Sequence, residues 1–391
     1  MKVVDVCAFY TPHGGGVKTY IERKLKIGAA MGQEIVIIAP GLENRTEYRA
    51  EGGRIIHIES PQLLVDRRYR YFDNAAVVHS VLDAERPDLV EASSPWRTAS
   101  IVAEWRGDAP RVLVMHADPL AAYAYRWFGG IGSRDNIDYG FEFFWRYLRR
   151  LGKSFDCVVS ANSRLSGRLS KGGVPGVCTI PMGVDPCIFS PHRRNPALRA
   201  ELLRRCDLAE DAMLLLGVGR FSAEKRWPMV IDASISAGHE RPVGLILVGD
   251  GRDRTKIASH IGRNPHIQLL APIRDRALLA DVMASADALI HGCEAETFGL
   301  VAAEAVASGL PLIVPDEGGP SDLVTAATGE TFVSGDAVAA TNAIHRLAIR
   351  NTDELRSATY AASMMAPTID GHFASLFQQY SMLKDGRRRA A

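Results

Sequence analysis

Apolar residues in this chain gather in short runs bounded by turn residues, and between the runs they recur at helical spacing. The first series comprises VVDVCAF (residues 3–9), EIVIIAP (34–40), RIIHI (54–58), DLVEAS (88–93), RVLVMHA (111–117), CVVSA (157–161) and VCTIPMG (177–183). A second series begins at MLLLGVGR (213–220) and continues through VGLILVGDG (243–251), HIQLLAP (266–272), DALIHGC (287–293) and LPLIVPD (310–316). Strand-like runs alternating with helix-like stretches predict strand–helix–strand units and parallel sheets, so two series predict two doubly wound α/β domains. Between them GVDPCIFSPHRRNP (183–196), with its prolines and charges, resists regular structure and reads as a linker. GHFASLFQQYSMLKDGRRR near the end has helical spacing and a basic tail. The predicted division is residues 1–190, residues 191–370, and a closing helix with its tail over 371–391. Ligands of such sheets bind beyond the carboxyl ends of the strands, so two domains facing across a cleft would present two sets of strand ends to one site.

Length and composition narrow the class. A chain of 391 residues exceeds what one core supports, and 47% apolar with 23% charged residues at a formal charge of +1 describes a globular enzyme, not a nucleic-acid binder. The six cysteines (Cys7, Cys157, Cys178, Cys187, Cys206, Cys293) form no C-x-x-C pair and no zinc-finger spacing with histidine. Neither a metal site nor a disulfide framework is expected, and a reducing cytoplasm fits. Asp5 interrupts an opening apolar run already short for a signal peptide, and no stretch reaches about 18 apolar residues. No segment is expected to span a membrane; attachment to its inner face stays open.

Three stretches could carry chemistry. In TPHGGGVKTYIERKL a glycine triplet (Gly14, Gly15, Gly16) follows the first strand and opens a helical pattern, where bare backbone can approach a phosphate. The spacing is neither G-x-G-x-x-G nor a Walker loop, and a plain strand-to-helix turn would look the same. In GVGRFSAEKRW, Arg220 and Lys225 lie beyond a strand end. A planar fork and a mobile point charge together suit a diphosphate, although solvated surface charge has the same appearance. The third stretch, EAETFGLVAAEAVASG, reads as a loop carrying Glu296 and a buried, alanine-rich helix carrying Glu304 and stopped by Gly309. Amides of Phe298, Gly299 and Leu300 would open that helix towards an anion. A glutamate on a buried helix needs partners, and a ribose diol or a salt bridge would serve.

Taken together, G-R-F-S-x-E-K, E-x-F-G with a second glutamate eight positions after the first, and the amino-terminal glycines resemble the retaining glycosyltransferases of family 4, which have the GT-B architecture. MGVDPCIFSP, LILVGDG and SGLPLIVPDEGGPSDLV are similar to further segments of that family, in the right order and over nearly the whole chain. The resemblance implies a nucleotide-diphospho-sugar donor held mainly by the carboxyl-terminal domain. It would place Arg220 and Lys225 on the diphosphate, Glu304 on the ribose, Glu296 on the donor sugar, and the amides of Phe298, Gly299 and Leu300 beside them. Gly15 and Gly16 would approach the phosphates from the other domain as the cleft closes. His116, in VLVMHADP, matches the family's histidine near the reacting carbon; orienting donor and acceptor is its expected role, with general base the alternative.

The implied reaction is transfer of a hexose with retention, by same-face attack through an oxocarbenium-like state in which the leaving phosphate takes the acceptor's proton. No metal and no other cofactor is expected. The base would lie near Ile273 and Arg274, with a UDP-hexose favoured and GDP-mannose next. Arg67, Arg68 and Arg70 alternate with Tyr69, Tyr71 and Phe72, and residues 123–153 are rich in aromatics and cations. Such segments suit an anionic membrane surface and a lipid, lipid-linked or glycan acceptor, while a basic face over an aromatic core has the same composition. The alternatives are a nucleotide-sugar epimerase of similar architecture and a non-catalytic nucleotide-sugar-binding protein; the absent G-x-G-x-x-G disfavours a nicotinamide dehydrogenase.

Overall fold

Two parallel sheets organise the chain. A computed structural model describes residues 1–11, 16–63, 69–116, 118, 120–125, 128 and 134–390. Met1–Pro181 together with Asp370–Ala391 form one unit, and Met182–Ile369 form the second. The first sheet contains β1 (Lys2–Val6), β2 (Glu34–Gly41), β3 (Arg45–Tyr48), β4 (Arg54–Glu59), β5 (Leu89–Ala92), β6 (Arg111–Val114), β7 (Cys157–Ser160) and β8 (Val177–Thr179). Its order is β3-β4-β2-β1-β5-β6-β7-β8, parallel except for the β3–β4 pair. The second sheet contains β9 (Met213–Val218), β10 (Val243–Val248), β11 (Ile267–Leu270), β12 (Ala288–Ile290), β13 (Leu312–Pro315) and β14 (Gly329–Phe332), in the order β11-β10-β9-β12-β13-β14. Strand order reverses between β9 and β12, which makes that boundary a topological switch point.

The apolar runs locate every strand except β3 and β14. Arg45–Tyr48 is an antiparallel edge strand whose residues are exposed or half-buried, and Gly329–Phe332 (GETF) is too short and polar to register as an apolar run. In the second sheet alternate residues feed opposite faces. Leu214 and Leu216 join Leu202, Leu203 and Met283 in one core, while Leu215, Leu245 and Leu247 join Trp227, Ile231 and Ile344 in the other.

The division differs from 1–190, 191–370 and 371–391 for identifiable reasons. Val184 bridges Thr368, and Phe189 is buried among the apolar residues of the second unit, so that unit begins at Met182. The expected linker contains a 3-10 turn, Pro191–Arg193, capped by Ser190, whose Oγ accepts from His192 N at 3.3 Å. The helix Ile369–Ala390 is anchored on the first unit: Tyr380 donates to Glu91, Lys384 pairs with Asp88 at 2.7 Å, and Arg387 pairs with Asp156 at 2.9 Å. Among the described residues no helix is long and apolar enough to cross a membrane.

A charge cluster lies at the centre of the first unit. Asp5 on β1 and Glu91 on β5 are neighbours in register, and both are fully buried. Lys24, from the helix Gly16–Ala30, places its ammonium 2.9 Å from Asp5 Oδ2 and also pairs with Glu91. Burial alone would drive the ammonium to lose its proton, but the two carboxylates outweigh it and hold Lys24 above its ordinary value. Asp5 is pushed up to about 6 by burial and by Glu91, against the pull of Lys24. Removing one partner of a buried ion cluster leaves the others uncompensated. Lys24→Met is therefore expected to destabilise the first unit by about 3–5 kcal/mol, read from urea unfolding, with partial recovery on adding Glu91→Gln. An unmoved unfolding midpoint would refute the cluster's structural role.

Candidate functional site

Loops leaving β9, β10, β12 and β13 interlock at the carboxyl end of the second sheet. After β9 the chain turns through Arg220 and Phe221 into a 3-10 turn, Ala223–Lys225, and then into the helix Trp227–Gly238. Trp227 fixes this turn by donating its indole N–H to the Arg220 carbonyl at 2.8 Å. Phe221 exchanges backbone hydrogen bonds with the loop after β10: its N–H donates to Asp250 O at 2.8 Å, and its carbonyl accepts from Asp253 N at 3.0 Å. Gly249 is required there, because a Cβ would lie 1.9 Å from the Gly219 carbonyl oxygen.

Two ion pairs join the loop after β9 to the loop after β12. Arg226 grips Glu294 in a two-pronged contact, with Nε 2.8 Å from Oε2. Lys225 pairs with Glu296. This second pair spans the switch point between β9 and β12, where doubly wound sheets bind their ligands. The loop after β13 closes over it: Gly319 N donates to the Glu296 carbonyl at 2.7 Å, and a Cβ on Gly318 would come within 2.7 Å of the Glu294 carbonyl oxygen.

The electrostatics of the pair follow from its surroundings. Burial would raise the Glu296 carboxyl, but Lys225, with lesser contributions that include Arg220, brings it down to about 2. Burial likewise opposes charge on Lys225, and Glu296 more than restores it. Both groups are ionised at neutral pH, yet their side chains keep 11% and 26% exposure, so the pair is open to a ligand. Arg220 is 64% exposed, and its guanidinium lies 3.4 Å from Glu224.

Glu304 lies on the short helix Leu300–Ala307, which opens at Gly299 with a left-handed φ of 59°. Gly309, at φ 69°, follows its end. The buried carboxylate of Glu304 is taken by Arg276 at 2.6 Å, and the Arg276 guanidinium in turn stacks over Phe189 at 4.8 Å. The partner expected from a ligand diol is thus supplied, at least in part, by a salt bridge. Phe298 and Leu300 are half-buried beside Gly299; Ile273 packs on the core and Arg274 is exposed.

In the first unit His116 follows β6 and is buried, its Nε2 3.2 Å from Ser93 Oγ and its ring edge-on to Tyr20 with centroids 5.0 Å apart. Burial, outweighing the pull of Asp5, lowers its imidazole to about 4, so it is neutral at physiological pH. Gly16 opens its helix and is exposed, whereas Gly15 lies outside the described residues, as do Arg67 and Arg68. Arg70 is committed to the Ser60 carbonyl at 2.5 Å, and Phe72 is core.

Within 123–153 the helix Glu142–Gly152 buries Phe144, Trp145, Leu148 and Leu151 and exposes Phe143, Arg146 and Arg150. Residues 126, 127 and 129–133 of that segment lie outside the described residues.

Sequence reasoning did not single out Arg226, Glu294, Arg276 or His291. The signal for the first two was present, since each adjoins a chosen residue, Lys225 or Glu296, on a loop already placed at a strand end. His291 Nε2 has no hydrogen-bond partner among the described residues and sits 3.8 Å from Glu296 Oε2; burial and then Lys225 lower its imidazole to about 3. His291, Cys293 and Glu296 bring potential ligand atoms within 4.8 Å of one another. They suit a cation poorly, because burial pushes the Cys293 thiol up to about 12 and Lys225 already neutralises the carboxylate.

Residues 14–187 match the family described as Glycosyltransferase Family 4, and residues 212–349 match Glycosyl transferases group 1. A GDP-mannose-dependent alpha-(1-6)-phosphatidylinositol dimannoside mannosyltransferase of Mycobacterium tuberculosis is 27% identical over 84% of this chain and 83% of that one. A GDP-mannose-dependent alpha-mannosyltransferase of the same species is 29% identical over 83% and 82%. Among solved structures, sucrose-phosphate synthase from Thermosynechococcus elongatus superposes with a TM-score of 0.77 at 18% identity, covering 98% of this chain and 99% of that one. Anabaena HepE in complex with UDP and glucose gives 0.70 at 17% identity, covering 97% and 99%. These matches show that the chain belongs to family 4 of the group 1 glycosyltransferases, a retaining family, and that it has the GT-B fold.

Proposed function

We propose that the protein transfers a mannosyl or related hexosyl group from a nucleotide-diphospho-sugar to a hydroxyl of a glycolipid, with retention at the anomeric carbon. The observation that carries this reading is the Lys225–Glu296 pair at the β9/β12 switch point, ionised and open, with Arg220 beside it. An ammonium has three N–H donors, so Lys225 can hold Glu296 and still donate to a phosphate oxygen. As the anomeric C–O bond breaks, negative charge grows on the leaving diphosphate, where Lys225 and Arg220 stabilise it most. The acceptor oxygen forms the new bond on the same face, and its proton passes to the leaving phosphate oxygen. Glu296 contacts the donor sugar, His116 hydrogen-bonds to it, and Glu304, shared with Arg276, serves the ribose. No metal is assigned, because cationic side chains supply the neutralisation.

Relatives matched over more than four fifths of both chains have names that specify GDP-mannose, which moves that donor ahead of a UDP-hexose. The phosphatidylinositol dimannoside in one of those names supports a glycolipid acceptor. Tyr139 at 86% exposure and Phe143 at 61%, near exposed Arg146 and Arg150, fit a membrane interface from which such an acceptor would be drawn.

Lys225→Ala is expected to lower kcat by roughly a hundredfold or more, on the order of 3 kcal/mol, with an unchanged circular dichroism spectrum. Near-normal turnover would overturn its role. In a donor panel, GDP-mannose should release nucleoside diphosphate only when a phosphoinositide glycolipid acceptor is supplied. Epimer formation without acceptor, or binding with no turnover, would favour the competing readings. Vesicles rich in anionic lipid should retain the protein at low salt, and Phe143→Ser with Tyr139→Ser should weaken that retention; absence of any retention would remove the interfacial argument.

A further inference from the structure

We infer that Ser93 is a positioning residue that fixes the tautomer of His116, so that the imidazole carries its proton on Nε2 and presents a lone pair at Nδ1. The number of available protons fixes the arrangement. Ser93, fully buried after β5, has a single hydroxyl hydrogen. Its Oγ lies 2.7 Å from Asp5 Oδ1 and 3.4 Å from Glu91 Oε1. Both are carboxylates held by Lys24, and an ionised carboxylate can only accept. The hydrogen of Ser93 is therefore committed to a carboxylate, chiefly Asp5, and towards His116 its oxygen can only accept. His116 Nε2, at 3.2 Å, must then be the donor. Since this imidazole is neutral, its Nδ1 is an acceptor.

A neighbouring histidine obeys the same counting with the opposite result. His372 places Nδ1 2.8 Å from the Pro181 carbonyl oxygen, which can only accept, so Nδ1 carries the proton. Its Nε2, 3.3 Å from the Tyr20 hydroxyl, then accepts from it. Tyr20 also packs its ring against both imidazoles. Two histidines in one buried layer are thus held in opposite tautomers by groups of fixed polarity.

The consequence for chemistry rests on the reading that His116 meets the donor sugar. An imidazole with its lone pair at Nδ1 takes a hydrogen from a hydroxyl there and repels a phosphate oxygen or an ether oxygen. His116 thus selects a sugar hydroxyl, and the charges of Asp5 and Lys24, which also act on the imidazole through space, reach it by hydrogen bonding through Ser93.

The full chain labelled with 15N-histidine, at pH 8 where Asp5 is ionised, reports the tautomer directly through long-range proton–nitrogen correlation, with His116→Gln identifying the signal. A protonated Nε2 and a bare Nδ1 are expected in the native chain, and a mixture of tautomers in Ser93→Ala. In glycosyl transfer Ser93→Ala should lose roughly tenfold to a hundredfold in kcat with little change in donor KM, as a misoriented group does. Ser93→Thr, which keeps the hydroxyl, should restore both the signal and the rate. A proton on Nδ1 in the native chain, or a native kcat in Ser93→Ala, overturns the inference. Absence of transfer by the native chain with every donor would instead overturn the proposed function, and the tautomer measurement would stand apart from it.

Discussion

An ammonium taken out of water must find negative charge within hydrogen-bond reach, and each unit of this protein is organised around one such lysine. In the first, Lys24 is fully buried and bound to Asp5 and Glu91, which stand side by side on β1 and β5. Around it converge two adjacent strands, the helix Gly16–Ala30 and, through Tyr380, the terminal helix. In the second, Lys225 meets Glu296 across the loops after β9 and β12, with both side chains still partly exposed. The difference in closure separates their roles. The Lys24 cluster is sealed and acts by holding elements together and by polarising Ser93. Among the described residues Lys225 pairs with one carboxylate, and an ammonium has three donors, which is the condition the proposed phosphate contact requires.

The interlocking of the second unit's loops explains why such an open pair can keep its geometry. Gly318 and Gly319 let the loop after β13 lie against the carbonyls of Glu294, Glu296 and Thr297, where any Cβ would collide. Arg226 adopts a left-handed φ of 51° to begin the next helix and is locked there by Glu294. The neighbouring residue, Lys225, therefore leaves the turn in one direction. Preorganisation of this kind matters because a charge aimed before the reaction begins needs no rearrangement as the leaving group develops.

The strands and the residues of the switch-point site were legible because each is encoded locally. Continuous apolar runs mark buried parallel strands, Lys225 and Glu296 sit in short motifs at strand ends, and Glu304 lies on the helix that follows. What stayed hidden depends on distance in sequence. Lys24, Asp5, Glu91, Ser93 and Tyr380 come from four elements, and Asp5 registered only as an interruption of an apolar run. Arg276, the partner of Glu304, lies 28 positions before it and carries no local mark. Strands β3 and β14 escaped because an edge or a short polar strand need not be apolar. The terminal helix was recognised as a helix, but its allegiance to the first unit is set by Glu91, Asp88 and Asp156.

The two buried histidines at strand ends place a further limit on the chemistry. Burial lowers His116 to about 4 and His291 to about 3, so neither brings positive charge to a donor at neutral pH. On the proposed reading, compensation for two or more negative charges on a diphosphate would then fall to Lys225 and Arg220, of which Lys225 is the one held by burial. Arg220, largely exposed, rests on Glu224 in a surface pair of the kind that costs little to break. On the proposed reading a fixed cation beside a mobile one would divide the work: Lys225 would define where the phosphate sits, and Arg220 would follow the charge as it moves to the departing oxygen. On the same reading a neutral His116 would contribute direction, accepting a hydrogen at Nδ1, and that direction is what Ser93 is inferred to set.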